Sequence, residues 1–424
     1  MASHHHDIDP PGTLEIPKGF YITAAVLIAI GVIAFAAGLM SDPGRAWRGY
    51  VIGFWFTFSV ALSGPFFIAT QYLTKASWAV SIRRIPEAFG VFLYPCIIFG
   101  LIALMGIDHL FGWLDPTLFD PGSDNFDPVV AEKEGFLTRT NIWIATIAST
   151  VILAGVHFLL RRNSLRQDEE GGYALTKQNM WLSAAFIILF VIGVSFMTWY
   201  WLMSYNPHWY STMLSVYAFA GLFQTGLALM ALILVYLLRR GTLGDTLGIK
   251  HIHDTGQLVF GFTVFFAYIG FSQFLLIWYS NIPEAAEWYV HRTTEGWGIF
   301  LLILPFVKFI LPFLLLLPQD HKKNKRNILV FVCIGLILTH FYDIWLMVMP
   351  YWYNLGGQFA PAFPLIEIAI TLGFVGLFMG VVARSFASTA LVPMKDPYLA
   401  ESIPHSHDHL IYPNGKPGEA GKND

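Results

Sequence analysis

Residues 251–292 read HIHDTGQLVFGFTVFFAYIGFSQFLLIWYSNIPEAAEWYVHR. Polar groups open this stretch, a long and mostly apolar run follows, and a proline-broken aromatic segment closes it. A helix of this length in a soluble protein would carry a wet face, and this one has none. It is long enough to span a bilayer. Tyr268, Ser272 and Gln273 nevertheless lie within it, where lipid penalises polar side chains, so these groups are expected to face protein or water.

The remainder of the chain has the same character. Of 424 residues, 55% are hydrophobic and 12% charged, with 37 Phe, which places the chain among polytopic membrane proteins. A net charge of -3 excludes a basic nucleic-acid-binding surface. Cys96 and Cys333 stand alone in apolar runs. They cannot by themselves hold an iron–sulfur cluster or a zinc ion. No metal ligand, catalytic residue or bound cofactor is expected in this chain, quinol being the one possible exception. Any electron transfer then uses a partner's cofactors.

Ten stretches qualify as spanning helices, at 20–40, 48–72, 84–107, 138–161, 178–204, 211–239, 252–281, 294–317, 326–349 and 362–385. The first follows an acidic start with no basic leader and is read as a retained helix. Positive charge gathers in alternate loops, with Arg83 and Arg84, Arg161 and Arg162, Arg239 and Arg240, and the run 321–326. That asymmetry places both termini in the cytoplasm; Arg45 and Arg48 dissent. The loop 108–134 then lies outside. It is strongly acidic, and reads as a solvated loop or a docking surface. The polar segment after Leu391, with His405, His407 and His409, reads as a solvated tail.

A weak internal repeat divides the chain. MTWYWLMSYNPHWY (197–210) and THFYDIWLMVMPYWY (339–353) share Trp-Leu-Met and then Pro-x-Trp-Tyr with a one-residue slip, and Thr138-Arg139-Thr140 corresponds to His291-Arg292-Thr293. The matches agree in order and direction. The expected fold is therefore all-α, two parallel four-helix bundles (48–210 and 211–353) flanked by single helices, one preceding residue 48 and one within 354–390, with a cytoplasmic tail at 391–424.

Heights along the helices, from a rise of about 1.5 Å per residue, arrange the polar groups of the second bundle as a ladder. His251, His253 and Asp254 stand at its mouth and Gln257 two turns in, followed by Lys308, then Gln224 and His340, then Tyr268 and Asp343, and finally Gln273 and Glu295. These residue types hold or pass protons. Lys308 is the sharpest signal, because a cation at that depth must face protein or water; Asp343 or Glu367 could pair with it. Pro305 and Pro312 flank it, so a broken helix is expected there. His340 and Asp343, three apart, share a face and could be a buried pair. Glu367 alternatively reads as an interfacial carboxylate. In the first bundle the interior offers hydroxyls that read as packing residues, and the charges sit at the edges, among them a cytoplasmic-edge cluster of Arg83, Arg84, Glu87 and His157.

FSQFLLIWYSNIPEAAEWYVHR (271–292) together with LTKASWAVSIRRIPEAF (73–89) closely resembles the NrfD-like, polysulfide-reductase-type integral membrane subunits, most nearly the shorter, ActF-type branch found in bacterial alternative complex III. The likeness extends over nearly the whole chain, and the run 278–284 is its most specific part. The resemblance implies two four-helix bundles flanked by single helices in a bacterial cytoplasmic membrane. It implies a hetero-oligomer with a second NrfD-like subunit, an iron–sulfur protein and multihaem or monohaem c-type cytochromes, in which quinol is oxidised. Quinol-oxidising relatives build their pocket near the outer end of the first bundle, whereas Tyr50 to Phe58 here supplies aromatics and Thr57 but no His or Asp. The expected role is thus proton translocation and assembly, with quinol oxidised in a longer sibling. The rivals are a quinol-binding subunit, a secondary transporter, which predicts inverted repeats, and a structural scaffold. A haem b protein is a weak fourth, since His157 and His340 sit at mismatched depths.

Overall fold

The computed structural model describes residues 12–294, 296–350, 361 and 363–403. Every regular element among them is helical. Among the described residues, ten helices are long and apolar enough to cross a membrane. They are α1 (Lys18–Ser41), α2 (Pro43–Thr74), α3 (Arg84–Leu104), α4 (Arg139–Glu170), α5 (Ala174–Met203), α6 (Met213–Arg240), α7 (Gly244–Ser280), α8 (Gly298–Leu316), α9 (Arg326–Val348) and α10 (Leu365–Ser388). The chain is a multi-pass, all-α protein of the expected class.

Local chemistry sets the ends of these helices. Asp42 caps α2 by accepting from the Arg45 N–H at 2.9 Å, with Pro43 at the first helical position. Thr138 caps α4 in the same way through Asn141 N at 3.0 Å. Gly241, at φ 64, turns the chain out of α6. Asn281, at φ 46, ends α7, and Pro283 opens the outer helix Pro283–Thr293.

Packing contacts close α2, α3, α4 and α5 into one ring and α6, α7, α8 and α9 into another. The rings meet where α2 packs on α6 and α9. α2 is the most buried of the ten helices. Glycines permit its close approaches: a Cβ on Gly226 of α6 would overlap Ser63 Oγ, and one on Gly64 would overlap Pro86 O. The two single helices do not sit at opposite sides. α1 and α10 pack on each other and on α2, with Gly31 against Gly373 at the crossing.

One end of the molecule carries the loop 108–134 and the outer helix Pro283–Thr293, the other the arginine-rich connections. We call them the acidic and the basic end. At the basic end the chain past α10 departs from the solvated tail expected after Leu391. Leu391 and Val392 are buried, Asp396 pairs with Arg83, and Ser402 Oγ bonds to Ser81 N at 3.0 Å and Trp78 O at 2.9 Å. Residues 404–424, including His405, His407 and His409, lie outside the described residues, as do the repeat residues Tyr351, Trp352 and Tyr353.

Candidate functional site

Lys308 is fully buried, and its ammonium donates to Asp343 Oδ2 at 2.5 Å. Tyr217, a residue of α6 that the ladder did not include, donates its hydroxyl to Asp343 Oδ1 at 2.6 Å. The Lys308 nitrogen also stands 4.0 Å from the centre of the Phe266 ring. Both carboxylate oxygens are thus occupied, which offsets part of the desolvation cost of the pair. Helix α8 is not broken at the lysine as expected. It widens into a π-turn over Phe306–Ile310, between Pro305 and Pro312, which carries the backbone past the donor that Pro312 lacks. Glu367 is not the partner of Lys308: it is buried in the first turn of α10 and accepts from Arg45 Nε at 2.7 Å.

His340 and Asp343 do not form the anticipated pair. His340 Nε2 lies 2.8 Å from Ser59 Oγ, and Ser59 itself donates to Phe56 O at 2.7 Å. A hydroxyl has one proton, so the imidazole must be the donor to Ser59. Ser59 belongs to α2, so the first bundle contributes to this site through a hydroxyl that sequence reasoning assigned to packing. Gln224 Nε2 donates to Thr263 Oγ1 at 3.0 Å. Tyr217, Gly221 and Gln224 occupy one stripe of α6, at i, i+4 and i+7. That spacing was the available signal for Tyr217.

The rest of the ladder separates from this core. Gln257 and Tyr268 are exposed on the outer side of α7, Tyr268 at 64%. The rise per residue assigns a position along the helix but no direction around it, and α7 is apolar nearly all round. His251 is buried at the basic end, accepting from Gly248 N at 3.2 Å through Nδ1 and meeting Ser81 Oγ at 3.0 Å through Nε2. His253 contacts Asp254 at 3.2 Å and Gln319 at 3.3 Å. Between that end and Thr263 the buried face of α7 presents Val259, so the ladder is two clusters and not one file of polar side chains. Gln273 is buried, and Glu295 lies outside the described residues.

Arg83, Arg84, Glu87 and His157 do come together. Arg83 meets Asp396 at 2.8 Å and Glu87 at 3.4 Å, while Arg84 meets Asp168 at 2.5 Å and Glu87 at 3.5 Å. Ser164 donates to Glu87 at 2.7 Å. His157 donates from Nε2 to Glu87 O at 3.1 Å, leaving Nδ1 to accept from Tyr94 OH at 3.1 Å. Both nitrogens are engaged, which argues against a haem ligand. Gly90 makes the approach possible, since a Cβ there would overlap the imidazole. The cluster ties α3, α4 and the chain past α10 into a structural knot.

At the acidic end a second group was missed. His208 lies 2.6 Å from Asp127 and 3.8 Å from Glu287, and His291 lies 3.2 Å from Glu287. Hydrogen bonding to Glu287, reinforced by Asp127 and opposed by burial, raises the His208 pKa. Burial pushes the Glu287 carboxyl up, but His208 and His291 outweigh it and hold it at about 2. Nearby, Arg292 is buried, donates to Leu346 O at 3.0 Å and Met347 O at 2.8 Å, and lies 3.7 Å from the centre of the Trp288 ring. Arg139, its counterpart in the repeat, is exposed and pairs with Asp108.

No protein-family model and no curated protein matches the chain. Fold and site together define a multi-pass helical membrane protein with a buried, ion-paired lysine in its second helical ring.

Proposed function

We propose that this chain is the NrfD-like, ActF-type membrane component of a bacterial quinol-oxidising complex, alternative complex III. In this reading it provides a proton translocation path and holds the assembly together, while iron–sulfur and c-type haem partners move electrons. A second, longer NrfD-like subunit oxidises quinol, and both termini of the present chain lie in the cytoplasm. The observation that carries the reading is the Lys308–Asp343–Tyr217 cluster, in which a buried lysine on a π-turn of α8 meets a buried carboxylate of α9 that also accepts from a partly buried tyrosine of α6. Ionisable residues at such depth are expensive, and they mark ion pathways in membrane proteins.

Two further features support it. The outer part of α2 is filled with aromatic rings: Tyr50 packs 5.6 Å from Trp47 and 5.0 Å from Phe374 of α10, and Phe54 stacks on Phe58 at 5.5 Å. That favours a quinol site in the sibling. The outer half of α7 exposes Tyr268, Phe271, Trp278 and Tyr279, a surface suited to lipid and partner subunits.

The test uses the native assembly, purified through this chain, reconstituted in liposomes and driven by a reduced quinol and an electron acceptor. Lys308→Met is expected to lower the protons released per electron while electron transfer continues. Unchanged proton release by an assembled, electron-transferring Lys308→Met complex overturns the reading. It leaves the structural scaffold, which the ion pairing of Lys308 with Asp343 favours.

A further inference from the structure

The Lys308 site has an unused base beside it. His340 is 2% exposed, and its Nδ1 has no hydrogen-bond partner among the described residues. The bond from Nε2 to Ser59 fixes the tautomer: the neutral ring keeps its proton on Nε2 and leaves a bare lone pair on Nδ1. A buried lone pair without a donor is costly and uncommon. This one shares a gap with the cation of the site. A Cβ built on Gly221 would lie 3.4 Å from Lys308 Nζ and 3.5 Å from His340 Nδ1, in contact with both and clashing with neither. Gly221 therefore lines the space between donor and acceptor without filling it.

Resting on the proton-translocation reading, we infer that His340 Nδ1 is the second proton carrier of this site, taking its proton from Lys308 across a gap that Gly221 keeps open. In the step, the lysine head leaves Asp343 and rotates towards His340. An N–H bond of the ammonium breaks, and the electron pair stays on Nζ, which becomes a neutral amine. The Nδ1 lone pair forms the new N–H bond, so the ring becomes an imidazolium. Charge is conserved, and the Asp343 carboxylate, held by Tyr217, remains the counter-charge. The lysine's unbranched stem and the widened turn that bears it supply the freedom to move. Because Ser59 of α2 orients the imidazole, the carrier sits where the two helical rings join. Gly221 acts as a positioning residue and His340 as a carrier.

The experiment compares Gly221→Ala with Gly221→Ser in the reconstituted native assembly, beside Lys308→Met. Alanine puts a methyl into the gap; serine adds a hydroxyl that can donate to Nδ1 and accept from the amine. The expected result is loss of proton release in Gly221→Ala, retention in Gly221→Ser, and normal electron transfer in both. If Lys308→Met loses proton release but Gly221→Ala keeps it, this inference falls and the functional reading stands. If Lys308→Met loses nothing, the functional reading itself falls. Equal impairment by alanine and serine also overturns the relay, because it reduces Gly221 to a packing residue. A direct measurement covers the case in which a variant fails to assemble. In the full chain labelled with 15N-histidine, and with His340→Gln used for assignment, His340 should show a protonated Nε2 and an unbonded Nδ1. A proton resident on Nδ1 at rest overturns the proposal.

Discussion

At the scale of the residue, Lys308 and Asp343 differ from a surface ion pair in what happens when one is removed. Asp343→Asn leaves an ammonium in a low-dielectric interior, and the loss of a buried partner costs roughly 3–5 kcal/mol. Asp343→Asn is therefore expected to lower the thermal stability of the purified chain markedly, as read by a melting assay in detergent. Adding Lys308→Met to Asp343→Asn should restore most of the loss, because an unbranched apolar side chain of similar length then fills the same space. If the double variant is no more stable than the single one, the stability of this region comes from elsewhere. Tyr217→Phe is milder: it deletes one hydrogen bond to a carboxylate and should cost about 1.5–3 kcal/mol. These stability readouts are separate from proton transfer, so the pair's structural and functional shares can be told apart.

At the scale of the element, Arg292 shows one helix capping another. Its guanidinium donates to Leu346 O and Met347 O at the end of α9, carbonyls that no intrahelical N–H reaches. A cation at a helix C-terminus also meets the favourable end of the dipole. Arg292→Met is expected to leave those carbonyls wanting and to destabilise the last turn of α9 by about 1–3 kcal/mol. Faster amide exchange over 344–349, with α2 unaffected, is the measurement; equal exchange in both proteins would contradict the cap. The existence and number of the spanning helices were legible in the sequence, because about twenty apolar residues in a row leave few alternatives. Direction around each helix was not. Gln257 and Tyr268 were read as facing the bundle and are exposed instead, while Tyr217 and Ser59 were passed over because their partners come from other helices. The choice between Asp343 and Glu367 for Lys308 was open for the same reason: depth is a local property of a helix, and partnership is a property of the bundle. The π-turn shows a different limit, since prolines announce a disturbed helix without saying whether it breaks or widens.

At the scale of the whole molecule, the two rings are joined at the acidic end by titrating groups as well as by packing. His208 lies in the connection between α5 and α6, Asp127 in the loop 108–134, and Glu287 and His291 on the outer helix; Lys133 donates to Pro207 O, next to His208, at 2.5 Å. The raised pKa of His208 means that its contribution is complete below the unfolded value near 6.5 and is lost as pH rises through the folded value. Glu287 has the opposite sign: its contribution is complete above its unfolded value of about 4.5 and is lost as pH falls through about 2. The joint is therefore tightest from about pH 4.5 to 6.5. On raising the pH to about 8.5, amide exchange in 204–212, corrected for intrinsic rates, should accelerate by an amount equivalent to about 1 kcal/mol, and His208→Gln should abolish the difference. A pH-independent joint in the unaltered protein would contradict this.

The crossing of Gly31 with Gly373 has a consequence for how the protein is made. The two glycines are separated by nearly the whole chain, and ribosomes add about 5–20 residues per second. For tens of seconds after α1 enters the bilayer, the partner that fits its glycine notch does not yet exist. During that interval α1 and the flank of α2 that α10 will cover stand open to lipid or to an insertion chaperone. α10, made long after α1, is thus the helix that closes the molecule around it, and a chain arrested before α10 leaves the ribosome with α1 still uncovered.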